Sequence, residues 1–493
     1  MSYLLAIDQS TSGTKALLFD TQGNILDRTD CAHAPHYPQP GWVEHDAEEI
    51  YRNVLTVLSE MAQRQTDRMA EVACLSITNQ RETVVVFDHA TGKPLHPAIV
   101  WQCQRGTEVC AEFAECRDTI RAITGLSLNT YFPAPKLRRL FREQPELARR
   151  VQDGSAIIGT IDAYLIYRLT NGKVFATDAT NASRTLLYDI RRHEWSGDLC
   201  TLFGIPCNAL PEVRACDATY GETDAEGALP KPLPIAGVIG DSQAALFAQR
   251  CFTPGSAKAT MGTGSSLLMN VANLPHLTED NGIVAALAWD CVGKVQYALE
   301  GIIPSAGATL QWLRDQLGLI TDAAECETLS ASVADNGGAY FVPAFSGLGA
   351  PYWAAEARAG IVGLTTAHTR AHVVRAALEA VAYQIADSAA ALTAASGQSL
   401  HELQVDGGMT TNHFLMQFLA DITGCTLRVS SQPELSATGA VYMGMLALGL
   451  QPSLTDLENL PRRTCEYTPA LCRSEVGRYC AGWHKAVHSV IHA

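Results

Sequence analysis

The chain opens on an apolar run, YLLAID, passes through a polar stretch, QSTSGTK, and resumes an apolar run at ALLFD. Two short β-type runs around a Gly/Ser/Thr turn predict a hairpin whose tip carries hydroxyls and a backbone that a ligand can approach. The same grammar returns in mid-chain, where GSAKATMGTGSSLLMNV sets an apolar run, a turn from Gly262 to Ser266 and another apolar run. Two like hairpins about half a chain apart suggest duplicated halves rather than a short-period array. Between them, ACLSITNQRETVVVFD reads as strand, polar turn and strand, and PLPIAGVIGDSQAALFAQR as strand, Gly-Asp turn and helix. Helical patterns follow over 305–317, 371–395, 414–422 and 437–448, separated by short apolar runs, and the Ala-rich stretch 376–395 reads as buried packing surface. Strands alternating with helices in both halves predict an α/β protein with mixed sheets. A turn-like TPG restart after Cys251 places a domain boundary near residue 250, giving domains 1–250 and 251–493.

Length and composition agree with this picture and narrow the partners. At 493 residues and 47% hydrophobic, the chain is long enough for two large domains that each bury a core. Fibrous and disordered classes are excluded by ordinary Gly and Pro content. A net charge of −15, with 36 Lys+Arg against 51 Asp+Glu, argues against nucleic acid as the main partner. An anionic ligand must therefore be held by local groups. The 15 cysteines form no CxxC pair and no zinc-like quartet, so they read as reduced, mostly buried thiols of a cytoplasmic protein. The segment from Met1 to Ile7 runs into Asp8, Gln9 and Ser10 without a basic region, unlike a secretion signal, and no apolar stretch is long enough to span a bilayer.

Several polar clusters carry candidate chemistry. The first tip, Asp8 to Lys15, offers an acid, the hydroxyls of Ser10, Thr11 and Ser12, a flexible Gly13 and a cation. Converging amides and hydroxyls suit a phosphate, and an aspartate beside them suits the hydrated Mg2+ that accompanies ATP. An ordinary solvated turn carries the same residues. The second tip, Met261 to Ser266, adds weight, because a triphosphate has to be gripped from more than one side. Neither tip matches GxxxxGK[ST], which disfavours a P-loop fold. A third glycine site, VDGGMTTNHFLMQFLADI, runs from strand through Gly407-Gly408 into a helix, with Asn412 available to a base or ribose and the helix amides to a phosphate. It lacks the GxGxxG of a dinucleotide fold. Asp241, at a strand end opening a helix, is either a helix cap or a general base that takes the proton of a substrate hydroxyl attacking a γ-phosphorus. Arg81-Glu82 is either a turn salt bridge or a donor and acceptor pair for vicinal hydroxyls of a neutral polyol. Trp101 and Tyr131 are either core or a flat wall against a carbon backbone.

Taken together, these segments resemble the FGGY carbohydrate kinases and, within them, the glycerol kinases. The likeness runs through DQSTSGTK, PGWVEHD, ITNQRET, AIVWQCQR, GTIDAYLIYRLT, TNASRT, GDSQAALFAQ, MGTGS, YALEG, AGATLQWLRD, VPAFSGLGAPYW, VDGGMTTNHFLMQF and AGWHKAV. The second family signature fits from Ala359-Gly360-Ile361 through Gly363-Leu364 to His372-Val373 and Ala376 to Glu379. The resemblance implies two actin-like ATPase (ribonuclease-H-like) domains with an interdomain cleft. The first would hold the substrate and the base, the second the nucleotide. It implies an ATP- and Mg2+-dependent kinase that phosphorylates a primary hydroxyl of glycerol to give sn-glycerol 3-phosphate and ADP. Asp241 would be the base. Arg81, Glu82, Trp101, Tyr131, Asp241, Ser242 and Ser266 would line the polyol site. Thr11, Ser12, Gly13, Lys15 and Thr263 would contact phosphates, Gly307, Gln311, Gly408 and Asn412 would hold the nucleotide, and Asp8 and Asp241 would hold Mg2+. A homodimer or higher homo-oligomer is also implied.

The departures from that pattern are specific. Glycerol kinases usually follow the catalytic Asp with Gln, where this chain has Ser242, and usually place Phe where it has Ser266. Two serines make a roomier, more polar pocket and raise the alternative of a tetritol, pentitol, xylulose or ribulose as substrate. Lys15 stands where Arg is usual. The first family signature is broken by Pro133, Pro135 and Arg139 in place of Trp. The loop through which some relatives bind fructose 1,6-bisphosphate reads AEGALPKPLP, with no Arg, so the resemblance does not carry that regulation across. A third reading, an actin-like ATP switch without a sugar substrate, is opposed by Arg81-Glu82 and Asp241, for which such a protein has no use.

Overall fold

In the computed structural model, which describes residues 2–277 and 281–493, β1 (Tyr3–Ser10) and β2 (Gly13–Asp20) pair antiparallel from Tyr3↔Asp20 to Ser10↔Gly13. The hairpin tip is therefore Thr11-Ser12 alone. Asp8 and Lys15 lie in the strands, directly opposite each other in register, rather than in the turn. β3 (Ile25–Ala32) continues the sheet antiparallel to β2. α1 (Ala47–Arg64), capped by the Asp46 carboxylate on the Glu48 amide, then packs its apolar stripe on this sheet. Ile50, Val54, Val57 and Met61 of α1 share one core with Leu5, Ile7 and Leu18.

β4 (Val72–Asn79) lies parallel to β1, and β5 (Val84–Asp88), beyond the Arg81-Glu82 turn, leaves for a separate four-stranded sheet. α2 (Pro133–Glu143) is amphipathic and buries Leu137, Leu140 and Phe141. β6 (Thr219–Thr223) is antiparallel to β7 (Leu233–Gly240), which is parallel to β4 and runs straight into α3 (Asp241–Ala248). The order of this first sheet is β6-β7-β4-β1-β2-β3.

The second sheet repeats the plan. β8 (Ala257–Met261) and β9 (Ser265–Val271) form an antiparallel hairpin, followed by β10 (Ile283–Cys291), β11 (Lys294–Ile303), α4 (Gly307–Asp315) and α5 (Arg370–Ser396). β12 (Glu402–Asp406) is parallel to β8 and leads to α6 (His413–Thr423). β13 (Thr426–Ser430) is parallel to β12, and β14 (Thr464–Tyr467) closes the sheet antiparallel to β13. The order is β10-β11-β9-β8-β12-β13-β14. Both sheets thus share a hairpin, two parallel strands and a closing antiparallel strand. This is the mixed α/β architecture of the actin-like ATPases, built twice. The Ala-rich centre of α5, Ala376 to Ile385, is buried throughout.

The chain divides into two units, one of Met1–Arg250, Ala285–Tyr297 and Glu434–Pro461, the other of Cys251–Val284, Ala298–Pro433 and Arg462–Ala493. The first therefore takes in α7 (Leu435–Ala447), a helix buried on nearly all sides. Gly444 of α7 lies against Ser76 Oγ and Cys74 Sγ of β4, on the sheet face opposite α1. Strands covered on both faces read as near-continuous apolar runs, as YLLAID and IAGVIG do. Glycines permit the approach of α7. A Cβ on Gly439 would fall 2.0 Å from the Ala244 carbonyl of α3, and one on Gly237 would fall 2.3 Å from the Gly444 amide. Among the described residues no helix is long and apolar enough to cross a membrane.

This crossing predicts that Gly439→Ala, which must push α7 away from α3, lowers unfolding stability by about 1–3 kcal/mol. The effect is read as a lower urea midpoint at unchanged slope, and an unaltered midpoint would contradict the packing argument.

Candidate active site

Asp241 is the first residue of α3, with Gly240 in the cap position. Of the two sequence readings, the helix cap is therefore not the one the backbone uses. Its Oδ1 accepts the Ser242 amide at 2.6 Å and lies 3.2 Å from Arg81 Nε. The Asp241 side chain keeps 35% of its surface, whereas Arg81 keeps 4%, so the carboxylate is the accessible end of the pair. Arg81 also donates from Nη1 to Gln243 Oε1 at 3.1 Å and stands 3.9 Å from Glu82 Oε1. Glu82 adopts a left-handed backbone (φ 61), which swings its buried carboxylate onto Arg184 Nε at 2.5 Å. Gly240 makes room for this arrangement, because a Cβ there would lie 2.8 Å from Arg81 Cγ. The Gly240 amide donates to Thr180 Oγ1 at 2.9 Å, and Thr180 in turn donates to Asp178 Oδ2. Asp178 belongs to a buried acidic pair with Asp162, whose carboxyl is pushed up to about 7 by burial and then by the Asp178 charge.

Trp101 and Tyr131 meet at ring centroids 5.3 Å apart and a tilt of 53°, each partly exposed. The Trp101 indole N–H donates to Thr11 Oγ1 at 3.0 Å, which ties the first hairpin tip to this aromatic wall. The Thr11 hydroxyl proton remains a donor to a ligand. Ser12 holds its carbonyl toward the His33 amide at 3.3 Å. Gly13 has a different reason from flexibility: a Cβ would lie 2.9 Å from the Cys31 carbonyl of β3, so the residue serves close approach. Asp8 is buried, with Lys15 Nζ 3.4 Å away, and its carboxyl is pushed up to about 6 by burial, with Glu434 and Asp241 adding to the rise against Lys15. Lys15 donates to Glu434 Oε2 at 2.6 Å, and Glu434, itself left-handed (φ 58), also accepts Arg28 Nη1 at 2.8 Å.

Five of the remaining candidates come together in the second unit. Thr263, Gly307, Gln311, Gly408 and Asn412 line one cavity of about 430 Å³. The Ala306 and Ala308 amides donate to the Thr263 carbonyl and the Gly307 amide to the Gly262 carbonyl, so the β8–β9 tip is bonded to the start of α4. Gly307 is needed there, since a Cβ would stand 2.7 Å from the Gly262 carbonyl. Gly407, at φ 101, turns β12 toward Gly408, where a Cβ would find open space. Asn412 Oδ1 caps α6 on the Leu415 amide at 2.9 Å, leaving the amide nitrogen as the half of that side chain turned to other work. Ser266, on β9 of this unit, donates to Glu300 Oε1 at 3.4 Å.

Sequence reasoning did not single out Gln243, Arg184, Lys136, Arg28 or Glu434. Gln243 lies within GDSQAAL and Arg184 within TNASRT, so the motifs contained them without marking a role. Lys136 had a signal: it falls three residues after Pro133 and four before Leu140, on the apolar face of α2, where a cation needs a partner. Nothing local marks Arg28 or Glu434, whose pairing joins residues 406 positions apart. The prolines that break the first signature are tolerated because Pro133 and Pro135 sit in the first turn of α2, where amides have no helical acceptor. Arg139 points outward to Glu143 and Glu108.

Comparison with known proteins bears on this geometry. The N-terminal domain of the FGGY family of carbohydrate kinases matches residues 3–248, and the C-terminal domain of that family matches residues 257–448. Glycerol kinase 1 of Thermotoga maritima is 43% identical over 494 residues, covering 99% of each chain. A glycerol kinase of Carboxydothermus hydrogenoformans is 44% identical over 487 residues, covering 98% of this chain and 97% of its own. Among solved structures, Plasmodium falciparum glycerol kinase with ADP superposes with a TM-score of 0.94 at 37% identity, over 99% of this chain and 98% of its own. With both family domains matched in order and relatives of this identity spanning its whole length, the chain belongs to the FGGY family of carbohydrate kinases.

Proposed function

We propose that this protein is a glycerol kinase, transferring the γ-phosphoryl group of ATP to a primary hydroxyl of glycerol to give sn-glycerol 3-phosphate and ADP. The single observation that carries the reading is the Arg81, Glu82 and Asp241 constellation, held by Gln243 and Arg184 in a chain 43% identical to glycerol kinases along its length. A guanidinium and a carboxylate side by side match vicinal hydroxyls, which accept from the first and donate to the second. Asp241, accessible and hydrogen-bonded by Arg81, takes the proton of the attacking hydroxyl. Trp101 and Tyr131 cover the carbon backbone, and Ser242 lies beside the base.

The nucleotide belongs to the second unit in this reading. Thr263, Gly307, Gln311, Gly408 and Asn412 hold it, and the first hairpin supplies Thr11, Ser12, Gly13 and Lys15 to its phosphates. Asp8 and Asp241 fit a magnesium ion: they are hard oxygen donors, few in number, and this ion takes one or two carboxylates while keeping waters and phosphate oxygens. When bound, Mg2+ spreads and neutralises charge on the transferring group. The domain roles, substrate and base in the first and nucleotide in the second, belong to the same proposal. So do a cytoplasmic setting, supported by 15 free cysteines, and a homodimeric assembly, supported by the family resemblance and read from the mass of the purified enzyme by light scattering. A second reading keeps the chemistry and enlarges the substrate to a four- or five-carbon polyol or ketose, favoured by Ser242 and Ser266.

A coupled assay for ADP over glycerol, dihydroxyacetone, erythritol, ribitol, xylulose and ribulose separates these readings. Glycerol is expected to give the highest kcat/KM, and a far higher value for a longer substrate would replace it. Hydrolysis of ATP with no phosphorylated product would instead indicate a nucleotide switch. Asp241→Asn keeps the fold and removes the base, so turnover is expected to fall by about 10²–10⁴-fold while ATP binding stays within a few-fold. Near wild-type turnover in that variant would remove Asp241 from its role.

A further inference from the structure

Lys136 is a fully buried lysine that no step above uses. It sits in the first turn of α2, where the helix dipole disfavours a cation, and burial adds a desolvation cost. An apolar side chain at this point of the apolar face would be cheaper, so the ammonium is retained for its contacts. It makes three: Nζ donates to the carbonyls of Val100 at 3.0 Å, Trp101 at 3.3 Å and Tyr131 at 3.1 Å. Three N–H donors meet three carbonyl oxygens, two of which belong to the residues of the aromatic wall. Trp101 and Tyr131 are 30 positions apart in the chain and share no backbone pairing. Gly106 lets the loop carrying Trp101 reach α2, since a Cβ there would lie 2.8 Å from Pro135 Cβ.

We propose that Lys136 is the positioning residue of the polyol wall: by bridging the backbones of Trp101 and Tyr131 it sets the separation and tilt of the two rings and hence the fit of the short carbon chain between them. This rests on the reading that those rings face the polyol. The side chain stays out of contact with the reacting atoms, so its effect falls on polyol affinity rather than on nucleotide affinity or the chemical step.

The charge state matters to the same contacts. Burial, with Arg105 adding to it and Cys103 and Glu82 opposing, lowers Lys136 from the usual lysine range to about 7. The charged and titratable groups facing it are Cys103 and Arg105 on the loop after Trp101, Glu82 in the β4–β5 turn and Cys110 on the helix over 107–112, whose thiol is pushed up to about 12 by burial and is neutral near pH 7. A neutral amine has two N–H donors and turns its lone pair on the third carbonyl. The wall is therefore fully tied below pH 7 and loses one tie as pH rises through it.

The test measures KM for glycerol and KM for ATP separately in wild type, Lys136→Met and Lys136→Gln between pH 6 and 9. The expected result is a KM for glycerol raised at least about tenfold in Lys136→Met, with KM for ATP within about twofold and kcat largely kept. In wild type, KM for glycerol rises from pH 6 to 9, and in Lys136→Gln this rise disappears. A folded Lys136→Met with unchanged KM for glycerol, or equal losses for both substrates, would overturn the proposal. Should neither variant fold, Lys136→Arg takes their place, and a KM for glycerol and a KM for ATP raised equally in it would overturn the proposal. If another polyol of the panel is the one turned over, the comparison is made on that polyol, so an incorrect substrate and an incorrect role for Lys136 give different results.

Discussion

Arg81 is the group on which the first unit's site depends. Its guanidinium is almost wholly removed from water and stands between two carboxylates, Asp241 and Glu82, with Gln243 taking a further donor. A buried charge that loses its partner costs about 3–5 kcal/mol, far more than the pair gains over apolar packing. The surrounding sequence follows from that asymmetry. Gly240 has no side chain because Arg81 occupies its space, Glu82 takes a left-handed backbone to present its carboxylate, and Arg184 holds the far side of that carboxylate. Each of these side chains has its partner within the protein itself, and in the proposed reading such preorganisation lets a base and a hydroxyl clamp act at the moment of reaction.

The second unit is built on a different economy, with backbone in place of charge. Its cavity is lined by a tip and two helix starts whose glycines permit contacts that a Cβ would forbid: Gly307 on the Gly262 carbonyl, and Gly407 beside Met261, whose carbonyl a Cβ would meet at 2.3 Å. Amides and hydroxyls carry partial charge without desolvating an ion. In the proposed reading this is how a chain with net charge −15 accommodates an anionic cosubstrate, by neutral donors acting locally. Lys15 in turn is not a loose cation, because Asp8 and Glu434 hold it in place.

How much of this was legible in sequence depends on the range of the interaction. The two hairpins, the strand and helix around Asp241 and the helices 371–395 and 414–422 follow from local pattern, and the structure places them within a few residues. Gly408 and Asn412 were marked by the strand–Gly-Gly–helix pattern and Gly307 and Gln311 came only through resemblance, and the gathering of all four around one cavity could not be read from spacing. Long-range partners were invisible: Arg184 for Glu82, Glu434 for Lys15, and the helix 435–447 that returns to cover the first sheet. The apolar run of that helix reports burial without saying where, since periodicity encodes a face and not its neighbour. Lys136 is the intermediate case. Its place on an apolar face was readable, but the three carbonyls that justify it come from chain segments up to 36 residues away.

The two carboxylates of the Arg81 cluster have opposite accessibility, and that difference supports the roles proposed for them. Glu82 is closed in by Arg184 and keeps almost no surface, so it can accept a hydrogen bond from one hydroxyl but has no path to shed a proton to water. Asp241 keeps a third of its side chain exposed, and among the described residues its carboxylate is held by Arg81 and the Ser242 amide. A general base must receive a proton during transfer and release it afterwards, which requires an open side. In the proposed reading, burial thus separates a binding carboxylate from a reacting one, both within ion-pair distance of the same guanidinium. The residue type alone would allow either to take either role, and what favours Asp241 as the base is that the fold leaves its side chain, and not that of Glu82, open to water.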